Sequence, residues 1–208
     1  MKSSLLPEPL DFSNCLTYEE QEKIAYDYFC EHIKPLDKRE KFRGKNIKIN
    51  LTSQYLDSKE ESFLHLTGFD ETNKYSLNPC NNLEIETQCF DLCNVEGVPN
   101  NQRIFCLYRA RLLPWFNEII KLANNDSPYI IYWEKEKVHP KSNKKDKIAC
   151  IRFKEDIADF LIILRIYPDG NYQLMSAYPL VLKKPYPLVL KKLRKNCEEE
   201  YKKYINTR

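Results

Sequence analysis

The spacing of apolar positions divides this chain into a helical first part and a strand-rich second part. Thr17-x-x-Glu20 fits a capping box, and Ile24, Ala25, Tyr28, Phe29 and Ile33 then recur at helical spacing until Pro35 ends the pattern. A helix is therefore predicted from Thr17, after an irregular lead-in over residues 1–16. Ile47, Ile49 and Leu51 alternate with Asn46, Lys48 and Asn50, the pattern of a half-buried strand over 46–51. Phe116, Ile119, Ile120 and Ala123 form a second helical stripe over Trp115–Ala123, with Pro114 at its first turn.

Beyond residue 128 the period changes to two. Tyr129–Glu134, Lys147–Phe153, Phe160–Ile166 and Tyr172–Tyr178 each read as strands, and Pro168-Asp169-Gly170-Asn171 is a hairpin turn between the last two. Parallel neighbours would need long crossovers, so connections this short predict antiparallel pairing. Lys135–Lys147 then becomes a basic loop at one end of the sheet, and a helix follows over Pro187–Lys203. The expected fold class is α+β, with N-terminal helices packed on a C-terminal antiparallel sheet of about four to five strands and a basic C-terminal helix. The corresponding parts are 1–44 as helical lead-in, 45–182 as core and 183–208 as basic helix or tail. Tyr178-Pro-Leu-Val-Leu-Lys-Lys184 recurs as Tyr186-Pro-Leu-Val-Leu-Lys-Lys192, a duplication too short for a solenoid.

Composition narrows the function classes. Four glycines, with neither a Walker loop nor a dinucleotide fingerprint, argue against a nucleotide cofactor, and no cofactor is expected. Pro7 interrupts the N-terminal apolar residues too early for an export signal, and runs such as Phe160–Leu164 are strand-sized. A cytoplasmic protein without a membrane partner is expected. The eight cysteines contain no C-x-x-C pair and read as free thiols. Cys80, Cys89, Cys93 and Cys106 are the one set whose spacing leaves zinc open. Charge is uneven: nine Lys or Arg stand against three Glu from Lys183 to Arg208, and six lysines lie within Lys135–Lys147. Such stretches suit a polyanionic partner, and equally a solvated surface. Arg152, Lys154, Lys137, Lys141, Lys144, Lys145, Lys183, Lys184, Lys191, Lys192 and Arg194 are the candidate nucleic-acid contacts.

The chemistry-bearing residues lie at element edges. The three histidines are far apart, and no H-E-x-x-H or serine-hydrolase elbow occurs, so a metal hydrolase has little support. Ser176 and Tyr178 are two residues apart on one strand and share a face, as do Arg152 and Lys154. Arg109 and Arg111 precede the helix at Trp115, where two forked guanidinium groups could converge on an anion. His65 between two leucines is a hydrogen-bonded structural histidine unless it faces a cleft. Each residue has an ordinary packing role open to it; together they suit RNA cleavage by its own 2′-hydroxyl. That reaction needs a base for the hydroxyl proton, cations for the crowded phosphate and an acid for the leaving 5′-oxygen.

The run Arg103-x5-Arg109-Ala-Arg111-Leu-Leu-Pro114-Trp115-x4-Ile120, then Ile131-Tyr-Trp-Glu134, Phe160-Leu-Ile-Ile-Leu164 and Ser176-Ala-Tyr178-Pro179, resembles phage and prophage proteins of the barnase–EndoU–colicin–RelE superfamily. Phe63-Leu-His65-Leu-Thr67-Gly68 is similar to a segment of their phage-borne branches, and the resemblance covers residues 45–182. It implies metal-independent RNA cleavage from an antiparallel sheet, with His65, Thr67, Arg109, Arg111, Ser176 and Tyr178 as the matching catalytic positions. Ser176 replaces an expected threonine and keeps the hydroxyl, whereas the Lys141–Asp146 insert lengthens the first hairpin. The implied partners are RNA, with tRNA and mRNA both open, and a neutralising or host protein. A non-catalytic nucleic-acid-binding accessory and a phage-encoded regulator of a host protein are the alternatives.

Overall fold

The computed structural model describes residues 4–53, 59–70, 103–138, 145–156, 158–180 and 188–207. The chain begins with α1 (Tyr18–His32), β1 (Ile47–Lys48), α2 (Glu61–Thr67) and β2 (Gly68–Asp70). After β3 (Arg103–Phe105) come α3 (Leu107–Arg111) and α4 (Trp115–Asn124). Four long strands follow, β4 (Ile130–Val138), β5 (Lys145–Lys154), β6 (Asp159–Ile166) and β7 (Tyr172–Pro179), and α5 (Leu188–Asn206) ends the fold. The fold class is α+β, as the periodicity predicts. The main sheet runs β1-β7-β6-β5-β4, antiparallel except for the β1–β7 edge, which is parallel; β2 and β3 form a separate antiparallel pair.

The helix starts follow from local chemistry. Thr17 accepts from the Glu20 amide while Glu20 reaches back to the Thr17 amide, a complete capping box. The apolar stripe of α4 buries Trp115, Phe116, Ile119 and Ile120 against the inner sheet face, where the Trp115 and Phe160 rings meet at 5.9 Å. The predicted strand over 46–51 shortens to Ile47–Lys48, because Ser62 takes the Asn50 backbone through both its amide (3.1 Å) and its hydroxyl (2.7 Å).

The described residues ahead of β1 contribute to the inner core. Leu6, Phe12, Ala25, Phe29 and Ile33 pack in one cluster with Phe63, Leu107, Trp115 and the inward residues of β5 to β7. A carboxylate lies buried beside this core. Lys34 pairs with Glu60, and the Tyr26 hydroxyl donates to Glu60 at 2.9 Å. Burial alone would raise the Glu60 pKa, but the hydrogen bonds from Lys34 and Tyr26 outweigh it and hold the carboxyl below its usual range. A depressed folded pKa adds stability above the unfolded value, which is lost as pH falls through the folded one, below about pH 4. Urea midpoints between pH 5 and pH 2 should therefore fall more steeply for the wild type than for Glu60→Gln. Parallel slopes would remove Glu60 from the acid transition.

Both faces of β5 and β6 are covered, which explains why Ile148–Phe153 is buried throughout. Trp133, Ile148, Cys150 and Leu161 form a second cluster on the outer face with Cys197 of α5. The predicted C-terminal helix is thus docked on the sheet. Glu200 accepts from Lys135 at 2.7 Å and from the Trp133 indole at 3.1 Å, while Arg194 meets Asp159 at 3.0 Å. Burial raises the thiol pKa of Cys150 to about 12 and that of Cys197 to about 11, so both stay protonated packing groups near neutral pH. The two copies of the eight-residue duplication enter different structures: Tyr178 and Pro179 end β7, whereas Leu188 opens α5. Residues 181–187 lie outside the described residues.

Candidate active site

A bulge decides which way the last strand points its candidate residues. Leu164 pairs with Leu174 but Ile163 pairs with Ser176, leaving Met175 as an extra residue in β7. Tyr172, Leu174 and Ala177 consequently face the inner core, whereas Met175 and Tyr178 face the outer cluster. Unbroken alternation would have put Ser176 and Tyr178 on the inner face with Leu174. They share a face as expected, but it is the α5 face; the α4 helix at Trp115 packs on the opposite one.

Arg109 joins the candidate segments at one corner. One terminal nitrogen of its guanidinium donates to the carbonyls of His65 (2.7 Å) and Ala177 (2.8 Å), and the other donates to Gly68. Its central carbon lies 5.8 Å from the centre of the Tyr178 ring, within cation–π range. Three regions distant in sequence, α2, α3 and β7, therefore meet through one side chain. His65, a quarter exposed, has its Nε2 3.3 Å from a Glu61 carboxylate oxygen one turn back, a contact that orients the ring. Ser176 and Tyr178 are both half-buried.

The other two matching positions are placed elsewhere. Thr67 is fully buried, and its hydroxyl donates to the Phe63 carbonyl at 2.8 Å within α2, out of a substrate's reach. Arg111 does not converge with Arg109, because residues two apart on a helix point to nearly opposite sides. It donates to the Leu10 carbonyl at 3.1 Å and receives the Leu10 amide at 2.8 Å, which fastens the N-terminal segment. Short α3 carries both arginines, just ahead of the Trp115 helix.

The expected basic surface is also redistributed. Arg152 is 1% exposed and forks onto Asp159 at 2.8 and 2.7 Å, so it serves the sheet–helix junction and is withdrawn from any polyanion. The Lys135–Lys147 loop is largely strand: Glu136 pairs with Lys147, Lys137 with Asp146 and Val138 with Lys145. Lys137 is exposed on β4, and Lys145 contacts Glu136 at 2.9 Å. Lys141, Lys144, Lys183 and Lys184 lie outside the described residues, as do the side chains of Lys191 and Lys192. Lys154 and Arg194 are the two candidates that line a common cleft, together with Tyr129, Glu155 and Asp156. In the sequence reading Tyr129 opens a strand, and Glu155 and Asp156 fall between two predicted strands with no role assigned.

Cys80, Cys89 and Cys93 fall outside the described residues, and Cys106 is buried in the inner core. Among the described residues no helix is long and apolar enough to cross a membrane. No protein-family model, curated protein or solved structure matches the chain.

Proposed function

We propose that this protein is a metal-independent endoribonuclease of phage or prophage type that cleaves RNA by attack of its 2′-hydroxyl. The observation that carries the reading is the Arg109 clamp, which draws the His65 segment, Gly68 and the Ala177–Tyr178 segment to one guanidinium. His65 supplies proton transfer, and its contact with Glu61 orients the imidazole. The hydroxyls of Ser176 and Tyr178, on the strand that Arg109 ties to α2, serve as hydrogen-bonding groups for the phosphate and the leaving oxygen. Arg109 acts mainly as a positioning residue, because carbonyl oxygens occupy its terminal nitrogens, and it adds a fixed positive charge at the corner.

Pure protein incubated with total RNA in EDTA tests the reading. Cleavage should persist, leaving 2′,3′-cyclic phosphate or 3′-phosphate ends and 5′-hydroxyl ends. Cleavage lost in EDTA and restored by magnesium would contradict the mechanism. RNA binding without cleavage would favour a non-catalytic accessory, the reading that the ties on Arg109 and Arg152 also accommodate.

A further inference from the structure

A cleft of about 450 Å³ opens beside the β5–β6 turn, lined by Tyr129, Lys154, Glu155, Asp156 and Arg194. The fold builds it from three directions. Tyr129 stands just ahead of β4, where its carbonyl accepts from the Lys154 amide at 2.8 Å and so places the two residues opposite each other. Glu155 and Asp156 follow β5 in the turn, and Arg194 belongs to α5.

Charge decides what such a cleft can hold. Both of its cations are already paired: Arg194 meets Asp159 at 3.0 Å, and Lys154 meets Glu198 at 3.5 Å. The neighbouring Arg152 is buried and forks onto Asp159 as well. Three cations therefore stand against four carboxylates, Glu155, Asp156, Asp159 and Glu198. An anion alone finds no net attraction in that surrounding. Glu155 adds a demand for a donor: its Oε2 is buried and receives no hydrogen bond among the described residues, while its backbone amide is tied to the Ala158 carbonyl at 2.7 Å. A buried carboxylate oxygen without a donor is unfavourable, and a cationic N–H relieves it. Tyr129 is 40% exposed and rests on Phe153, with ring centres 6.2 Å apart and planes 32° apart, so the cleft contains an aromatic ring supported on one side.

We propose that this cleft binds free arginine in its zwitterionic form. The guanidinium stacks on Tyr129 and donates to Glu155, Lys154 and Arg194 hold the α-carboxylate, and Asp156 accepts from the α-ammonium. A guanidinium is the cation chosen because it is planar, stacks on aromatic faces and presents a fork of N–H donors that matches one carboxylate. An ammonium in its place offers a point charge without the flat face. Lys154 and Arg194 keep donors for the carboxylate, since lysine carries three N–H groups and arginine five. A diamine would instead set a second cation against them. The cleft volume lies within the range of small-molecule sites. Binding here is independent of the nuclease reading, because none of the residues placed at the Arg109 corner lines the cleft.

Calorimetric titration of the full-length protein with L-arginine, agmatine, L-citrulline, glycyl-L-arginine and inorganic phosphate tests the proposal. L-arginine should bind saturably. Agmatine lacks the carboxylate, citrulline lacks the guanidinium charge, and glycyl-arginine, the form that a peptide terminus presents, lacks the α-ammonium. Each should bind about tenfold less tightly, the scale of one lost hydrogen bond to a charged group. Glu155→Gln and Tyr129→Ala should each weaken arginine by a similar factor, whereas Tyr129→Phe should retain it. Melting curves of the variants establish that they are folded. No saturable arginine binding, phosphate bound as tightly as arginine, or an unchanged arginine affinity in Glu155→Gln would each overturn the site. Agmatine, citrulline or glycyl-arginine bound as tightly as arginine would overturn the free amino acid as its ligand.

Discussion

Replacing His65 by alanine should lower RNA turnover by about 10²–10⁴-fold, the usual contribution of a positioned acid–base group, with little change in thermal stability. His65 lies on α2 with its side chain a quarter exposed, and its Nε2 approaches Glu61, four residues earlier, at 3.3 Å. Exposed helical pairs at that spacing contribute a few tenths of a kcal/mol, and alanine is itself a good helix former. The backbone carbonyl of residue 65, which Arg109 uses, survives the substitution. A rate per folded molecule equal to the wild type would remove His65 from the chemistry.

Arg109→Ala should behave in the opposite way. It deprives the carbonyls of His65, Gly68 and Ala177 of their donor at once. Each half-buried carbonyl left without a partner costs about 1 kcal/mol, so the total is on the order of 3 kcal/mol. For a chain of this length that corresponds to a melting temperature lower by about 10 °C. Activity measured well below the new midpoint should fall as well, because the hydrogen bonds that fix α2 against the end of β7 are then lost. Arg109→Lys should recover part of the stability, since an ammonium can reach some of the three oxygens but cannot fork between them. An unchanged melting temperature in Arg109→Ala would contradict the clamp.

How far the sequence foretold this arrangement depends on the range of the interaction involved. The Thr17 cap, the α4 stripe and the Asp169-Gly170 turn are local, and the residues that make them are adjacent in the chain. The four long strands fall within a few residues of their predicted limits because side-chain alternation is local too. The parallel pairing of Ile47 with Tyr172 was illegible, since it joins segments that share no turn. The Met175 bulge was equally so: Leu174, Ser176 and Tyr178 alternate without interruption, and only the pairing with Ile163 and Leu164 reveals the extra residue. Arg152 looked like a surface cation because its partner, Asp159, meets it only once the β5–β6 hairpin has closed.

The C-terminal helix illustrates a different limit. Its lysines and arginines suggested a basic helix or tail suited to a polyanion, yet the residues that decide its position are Arg194, Cys197 and two of its few acids. Glu198 and Glu200 face the sheet, while Lys195, Lys202 and Lys203 remain exposed. Net charge describes the exposed side of such a helix and says nothing of the side that packs. Within the candidate site, His65, Arg109, Ser176 and Tyr178 are all named from the sequence, but the three carbonyls that Arg109 ties together join segments distant in the chain and could not be read from it.

The most direct test of the central claim uses a DNA oligonucleotide carrying a single ribonucleotide, incubated with the protein in EDTA. Attack by the 2′-hydroxyl predicts one cut, immediately 3′ of the ribonucleotide, with a 2′,3′-cyclic phosphate on the upstream fragment, and no cut when that hydroxyl is methylated. Cleavage at positions lacking a 2′-hydroxyl, or cleavage that survives its methylation, would contradict the mechanism.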